Sequence, residues 1–348
     1  MLKWPKNLWK SWKKLVIKSL FLKMKKIKFI NLKEEILKKI KKKGGWVNAH
    51  CHLDRAFTLT KKNFSYTDAY LHQKWELVDE IKKNSTISQI YDRMAYAIEW
   101  MIKDGVSAIG SFIDVDEVIK DKAIKAAQKI KDKYGKTIKV KFINQVLKGV
   151  IDKKARFWFD YGSQFVDIIG GLPGKDKGQE EKHLEIILQK GKDLKKMVHV
   201  HVDQLNTKNE KETELLAKKT IEAKMEGKVV AVHSISLAAH EKQYRKKVYQ
   251  LCQKANLMFI SCPTAWIDAR RTEELTVSHN AITPVDELVA YNLTVALGTD
   301  NIADIYKPFT LPEMWMELRF LLEANHFYEI EKLVEIATIN GLKVLGIK

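Results

Sequence analysis

Six residues in four short apolar runs have the types and spacing to do metal chemistry. His50 and His52 lie two apart in Asn48-Ala49-His50-Cys51-His52-Leu53-Asp54, and His199 and His201 lie two apart in Val198-His199-Val200-His201-Val202-Asp203. His233 closes Val229-Val230-Ala231-Val232-His233, and Asp300 closes Ala296-Leu297-Gly298-Thr299-Asp300. A spacing of two along a strand points both rings to one face. Imidazole and carboxylate together suit a divalent ion such as zinc or iron(II), with one position left for water. A lone strand histidine is more often a satisfied core residue. The joint pattern, repeated over four strand ends, is what favours a metal. His199 sits deeper than His201 and reads as a packing or supporting residue. His72, His183, His240 and His326 stand in charged, helical contexts and read as surface residues.

These runs belong to a longer alternation. Short apolar stretches at Trp46–His50, Ala108–Asp114, Lys139–Asn144, Val166–Gly170, Met197–Asp203, Val229–His233, Met258–Cys262 and Thr294–Gly298 read as strands. Between most of them lie segments with charged faces and apolar repeats at three and four, such as Ile119–Tyr134, Glu180–Lys196, Glu210–Glu226 and Glu241–Ala255. Strands alternating with helices imply right-handed parallel units, and eight such units imply an α/β fold closed as a (β/α)8 TIM barrel. Its active site is expected at the C-terminal strand ends, where the histidines and Asp300 fall. The fold alternative is an open, doubly wound sheet. Against it, Gly170-Gly171-Leu172-Pro173-Gly174 has neither the Lys-Ser/Thr of a P-loop nor the spacing of a dinucleotide fingerprint.

Length and composition agree. The 348 residues fit one barrel of about 250 residues with extensions. An apolar content of 45% excludes global disorder, and no apolar run approaches the roughly 18 residues of a membrane span. Three widely spaced cysteines exclude a disulfide scaffold and suit a reducing, cytoplasmic compartment. The net charge of +19 is uneven: residues 1–43 hold 16 Lys and 2 Glu, a net of +14, leaving +5 for the rest. Residues 1–45 therefore read as a Lys-rich amphipathic extension ending at Gly44-Gly45, and residues 46–348 as the barrel. A terminal helix packed on the main domain is the first reading of the extension. Peripheral membrane contact through Trp4, Leu8, Trp12, Leu15 and Leu22 ranks second. Nucleic acid ranks low, because the barrel lacks aromatic-stacking motifs. A homo-oligomer is compatible with all of this.

Residues 46–348 resemble the amidohydrolase superfamily, and most of all its cytosine deaminase-like branch. The first-strand run around His50 and His52 is similar to the family's metal motif. Ser111-Phe112-Ile113-Asp114-Val115-Asp116 and Val166-Asp167-Ile168-Ile169-Gly170-Gly171-Leu172-Pro173 resemble runs of that branch. So do Val200-His201-Val202-Asp203-Gln204, Ala231-Val232-His233-Ser234 and Leu297-Gly298-Thr299-Asp300-Asn301. Ala337 to Gly346 resembles the helix that follows the barrel. Gln145 stands where cytosine deaminases place a substrate-reading glutamine. The branch departs from this chain at three places. The accessory β-sandwich of many relatives is expected to be incomplete here. No bridging Lys or Glu stands at the fourth strand end, which implies one metal. Gln204 replaces the glutamate that shuttles protons in the deaminases.

The resemblance implies a hydrolase of carbon–nitrogen bonds other than peptide bonds, with one zinc or iron(II) held by His50, His52, His201 and Asp300. Such an ion lowers the pKa of water from 15.7 towards about 7. His233 would hydrogen-bond the water or the oxyanion formed by its attack. Asp300 would take the water's proton and pass it to the leaving nitrogen. Asp203 and His199 would orient neighbours. An amide carries no proton at neutral pH, so Gln204 favours hydrolysis of a cyclic or linear amide over deamination of a cyclic amidine. Gln145, Gln204 and His279 are the expected substrate contacts, and Lys148, Trp266, Arg270 and Arg271 are further candidates for the pocket. The alternatives are a cytosine deaminase-like aminohydrolase of a nucleobase or other N-heterocycle and a metal-binding pseudoenzyme.

Overall fold

The computed structural model describes residues 30–68, 71–265 and 281–348. It parts into two units, Met1–Lys39 and Ile40–Lys348. Helix α1 is Leu32–Lys42. All eight expected strands are present: β1 (Trp46–Cys51), β2 (Val106–Asp114), β3 (Lys139–Gln145), β4 (Ile169–Gly171), β5 (Val198–Val202), β6 (Val229–His233), β7 (Met258–Ser261) and β8 (Val295–Leu297). Among the described residues, the barrel helices are α2 (Leu71–Asn84), α3 (Ile87–Lys103), α4 (Lys122–Tyr134), α5 (Lys153–Phe165), α6 (Glu180–Asp193), α7 (Glu212–Glu222), α8 (Lys242–Lys254) and α9 (Val285–Ala290). They are followed by α10 (Met314–Ala324), α11 (Ile330–Ala337) and α12 (Ile339–Val344). None of the helices in the described residues is long and apolar enough to cross a membrane.

Every strand pair is parallel. β1, β2 and β3 form one ladder, and β4 to β8 form another in sequence order. Two narrow seams join the ladders into a closed barrel. At the first, Ile143 bridges Ile168, and Phe142 O accepts from Asp167 N (2.9 Å) and Ile168 N (3.2 Å). Side chains supplement this short seam: Asp167 Oδ2 accepts from Phe142 N (2.8 Å) and Asn144 Oδ1 accepts from Gly170 N (2.9 Å). At the second, Cys51 bridges Asp300, and His50 O accepts from both Thr299 N and Asp300 N at 3.0 Å. Buried Asn48 crosses that seam twice, donating to Thr299 Oγ1 (2.8 Å) and accepting from Thr299 N (3.1 Å). The strands bury on both sides, as their Val- and Ile-rich runs require of a parallel sheet covered by helices. One apolar cluster joins Val47, Ala108, Phe112, Ile143, Val230, Ile260 and Ala296 of the strands to Val344 and Leu345 at the end of the chain.

Two histidines expected at the surface are buried. His183 is fully enclosed: Nδ1 lies 2.6 Å from an Asp176 carboxylate oxygen and Nε2 accepts from Leu172 N (3.0 Å). Its ring thereby secures the loop after β4, a role that the charged sequence around it conceals. His240 is 8% exposed and lies 3.0 Å from Glu210 O. His326 is exposed, and the side chain of His72 lies outside the described residues.

The β3–β4 seam makes one glycine irreplaceable. A Cβ on Gly170 would lie 1.8 Å from Asn144 O and 2.9 Å from Phe112 Cε1. The obstacle is backbone and cannot rotate away, so Gly170→Ala should lose about 3 kcal/mol, the upper end of the range for overpacked cores. Urea unfolding checks this, and an unchanged midpoint would mean that the two strands are not in such close contact.

Candidate active site

The barrel mouth gathers side chains from non-adjacent strands. His50 of β1 and His201 of β5 have ring centroids 4.9 Å apart, and Phe112 of β2 lies 4.5 Å from His201 and 5.1 Å from His50. Strands one, two and five are not all neighbours, so these contacts cross the interior. His233 of β6 lies 5.4 Å from His50 and 5.3 Å from His201, and His52 lies 5.0 Å from His50. Asp300 completes the cluster: its Oδ1 is 3.2 Å from His50 Nε2 and 3.1 Å from His52 Nε2. Two overlapping sets, His50–His201–His233 and His50–His52–Asp300, bring their ligand atoms within 4.8 Å of one another.

The backbone is bent to aim these groups. His233 (φ 79°) and Asp300 (φ 61°) both occupy the left-handed region, as do Asp203 (φ 51°) and Ser234 (φ 51°). Such conformations cost of order 1–3 kcal/mol each for residues with a Cβ and concentrate at functional sites. The surroundings hold them in place. Thr283 donates its hydroxyl to His233 O (2.6 Å). Beside Asp300, buried Lys307 donates to Thr264 Oγ1 (2.5 Å) and Thr299 O (3.3 Å), and Glu317 accepts from Thr264 N (3.0 Å).

The electrostatics suit a cation. Burial pushes His201 well below the usual imidazole range, helped by His50 and His233, and takes His233 down to about 3. Burial and the Arg55 charge take His52 down to about 4. Burial alone would raise the Asp300 carboxyl, but hydrogen bonds from His50 and His52 outweigh it and hold Asp300 well below the carboxylate range. These three imidazoles are thus neutral, next to an ionised carboxylate. Both ring nitrogens of His201 and Nδ1 of His50 are buried without a hydrogen-bond partner among the described residues. An unsatisfied buried polar atom costs about 1–3 kcal/mol, so this donor set fits a divalent metal ion.

The remaining expected residues divide. Gln145 ends β3 and is buried, and its Oε1 has no partner among the described residues. Gln204 is half-buried in the loop after β5. His279, Trp266, Arg270 and Arg271 lie outside the described residues. Lys148 is ion-paired with Asp79 of α2. His199 has the packing role expected and not the orienting one, its Nε2 lying 2.8 Å from Val344 O. Asp203 needs correcting: it accepts from Glu212 N (2.7 Å) and Thr213 N (3.1 Å), so it caps helix α7 instead of orienting a site residue. Arg55, whose Nη2 lies 2.8 Å from His52 Nδ1, is a residue of the site that its sequence context does not single out. A cation three residues after the His-x-His pair was the available sign.

The model of the amidohydrolase family matches residues 43–348. The chain belongs to the amidohydrolase family. It is a hydrolase of carbon–nitrogen bonds other than peptide bonds, and the family is metal-dependent. An uncharacterized protein of Haemophilus influenzae is 50% identical over 263 residues, 74% of this chain and 95% of that one. The N-isopropylammelide isopropyl amidohydrolase of a Pseudomonas species is 23% identical over 319 residues, 87% of this chain and 74% of that one. Among solved structures, the 5-methylcytosine deaminase of Klebsiella pneumoniae, bound to 5-fluorocytosine, superposes with a TM-score of 0.81 at 20% identity, over 87% of this chain and 74% of that one. That superposition bears out the TIM-barrel fold.

Two outcomes follow from the site. A Cβ on Gly298 would lie 2.7 Å from His50 O and 2.8 Å from His50 Cβ. Gly298→Ala should therefore push His50 out of place and weaken zinc uptake at least tenfold, measured by elemental analysis after dialysis; full occupancy would show that His50 tolerates the shift. The second concerns Glu210, whose Oε2 accepts from Leu205 N (2.8 Å) and Ser236 Oγ (2.8 Å) and so steadies the loop bearing Gln204. Burial raises its carboxyl to about 7. Because the folded state holds this proton more tightly than the unfolded one, the contribution to stability is present at low pH and is lost as pH rises towards about 7. Glu210→Gln should flatten that part of the profile. Melting temperatures at pH 5 and pH 7.5 for both proteins test it, and equal pH dependence would count against a raised carboxyl.

Proposed function

We propose that the protein holds one divalent ion, zinc or iron(II), on His50, His52, His201 and Asp300, and opens a cyclic or linear amide in a small N-heterocyclic or amide substrate. The observation that carries this reading is the meeting of the His50, His52 and His201 rings with Asp300 at one barrel mouth. An ion bound there supplies Lewis acidity and lowers the pKa of water towards about 7.

The chain's own groups do the rest. Asp300, held ionised, accepts a proton from the attacking water and returns it to the departing nitrogen. His233, neutral and within reach of the other rings, hydrogen-bonds the water or the developing oxyanion. Phe112 closes one wall of the site and excludes solvent. Gln145 and Gln204 offer amide donors and acceptors to the edge of the substrate, with His279 as a third contact. An N-heterocyclic substrate accords with the relatives, one named for N-isopropylammelide and one for 5-methylcytosine.

Deamination of a cyclic amidine is the second reading, favoured by the same relatives. Gln204 weighs against it, since positioned general acid–base groups contribute about 10²–10⁴-fold and an amide transfers no proton at neutral pH. A panel of pyrimidines, triazines, hydantoins and N-acyl compounds on zinc- or iron-loaded protein separates the two. Amide opening is expected, with little ammonia from cytosine-like rings, and Gln204→Glu should raise ammonia release by about 10²-fold. Ammonia release by the unaltered chain at about 1 s⁻¹ or faster would overturn the amide reading.

A further inference from the structure

Arg55 stands in an unusual relation to His52. Its guanidinium is 5% exposed and reaches His52 Nδ1 at 2.8 Å through Nη2. Through Nη1 it meets both oxygens of Asp114, at 3.3 and 3.4 Å, and it lies 5.5 Å from the centre of the Tyr306 ring. Asp114 is shared with Lys82, 3.6 Å away, and its own N–H donates to Asp54 Oδ2 (2.8 Å). The guanidinium is thus fixed on three sides and has no freedom to turn from the imidazole.

Guanidinium has donors and no acceptor, so Nδ1 of His52 must accept and the ring proton must sit on Nε2. That matches the other end of the ring, where Nε2 lies 3.1 Å from Asp300 Oδ1 and has a proton to donate. A histidine that ligates a metal ordinarily donates its second N–H to a carboxylate, carbonyl or water, which fixes the tautomer and raises its basicity. Here the partner of the second nitrogen is a cation that can only donate. It holds the lone pair of Nδ1 and keeps the proton on the nitrogen that faces the cluster.

We infer that Arg55 is a positioning residue that makes His52 the weakest ligand of the set and so limits how tightly the site holds its ion. The inference rests on the metal reading proposed above. The ion would be gripped mainly by His50, His201 and Asp300, with His52 engaged only as Arg55 gives way.

The test is metal affinity, read without turnover. Zinc and cobalt(II) binding to the full chain is measured by competition with a chromophoric chelator. The variants are Arg55→Lys, Arg55→Gln, and Arg55→Gln combined with Asp114→Asn. The double variant removes one positive and one negative charge together, so it keeps the local charge balance and isolates the hydrogen bond. It also guards against loss of the fold in the single Gln variant, where Asp114 loses a partner. Changing a residue that holds a metal's ligand alters affinity about 10–100-fold, so the double variant should bind about tenfold tighter, while Lys, still a donor, stays within about threefold of the parent. Nitrogen-15 spectra of histidine in chelator-treated protein supply an independent readout: His52 should carry its proton on Nε2 in the parent and Lys forms and shift towards Nδ1 in the double variant. Equal affinities for the parent and double variant, with matched melting temperatures, would overturn the inference, as would an Nδ1-protonated His52 in the parent. A parent chain that takes up neither ion would overturn the metal reading and this inference with it; equal uptake would overturn this inference alone.

Discussion

The seam between the last strand and the first is the constraint on which the rest of the molecule depends. Barrel closure brings Thr299 N and Asp300 N onto His50 O, and the same contact delivers the Asp300 carboxylate to the Nε2 atoms of His50 and His52. The fold and the site are therefore joined by one interaction. Asn48 and Thr299 reinforce it from within the barrel, and Gly298 permits the approach because nothing larger than a hydrogen fits against His50. Loss of this seam would open the barrel and scatter the cluster together.

Burial then sets the charge state of what the seam assembles. Imidazoles taken out of water lose their tendency to protonate, whereas Asp300 keeps its charge because two N–H groups point at it. The result is a buried set of neutral imidazoles around one negative charge, which suits a divalent cation and is what a lone strand histidine lacks. A second buried network, Arg55, Asp114, Lys82 and Asp116, lies directly behind it. Its charges are paired, as buried charges must be, and through Arg55 it touches the metal-ligand candidates.

Much of this was legible in the chain. Eight apolar runs alternating with amphipathic segments specify strands, helices and their order, because side-chain periodicity is a local property. The His-x-His spacing placed two rings on one face, and strand-end positions placed Asp300, His201 and His233 at one mouth. Other features were not legible. His183 looked like a surface residue because its neighbours are charged, yet it is sealed beneath β4. Asp203 looked like a partner for the site, yet the turn after β5 directs it to the start of α7. Arg55 looked like one more charge after a motif, since the acceptor that fixes its role is the ring of His52 and its counter-charge comes from another strand.

The sequence by itself determined the family, the barrel order and the residue types able to hold an ion, since each is written in short segments of a few residues. Only the tertiary structure decided which nitrogen faces which oxygen, which buried charges answer one another, and which glycines must stay glycine. Those outcomes depend on distances across a closed barrel, between residues up to 251 positions apart, and no local pattern encodes them.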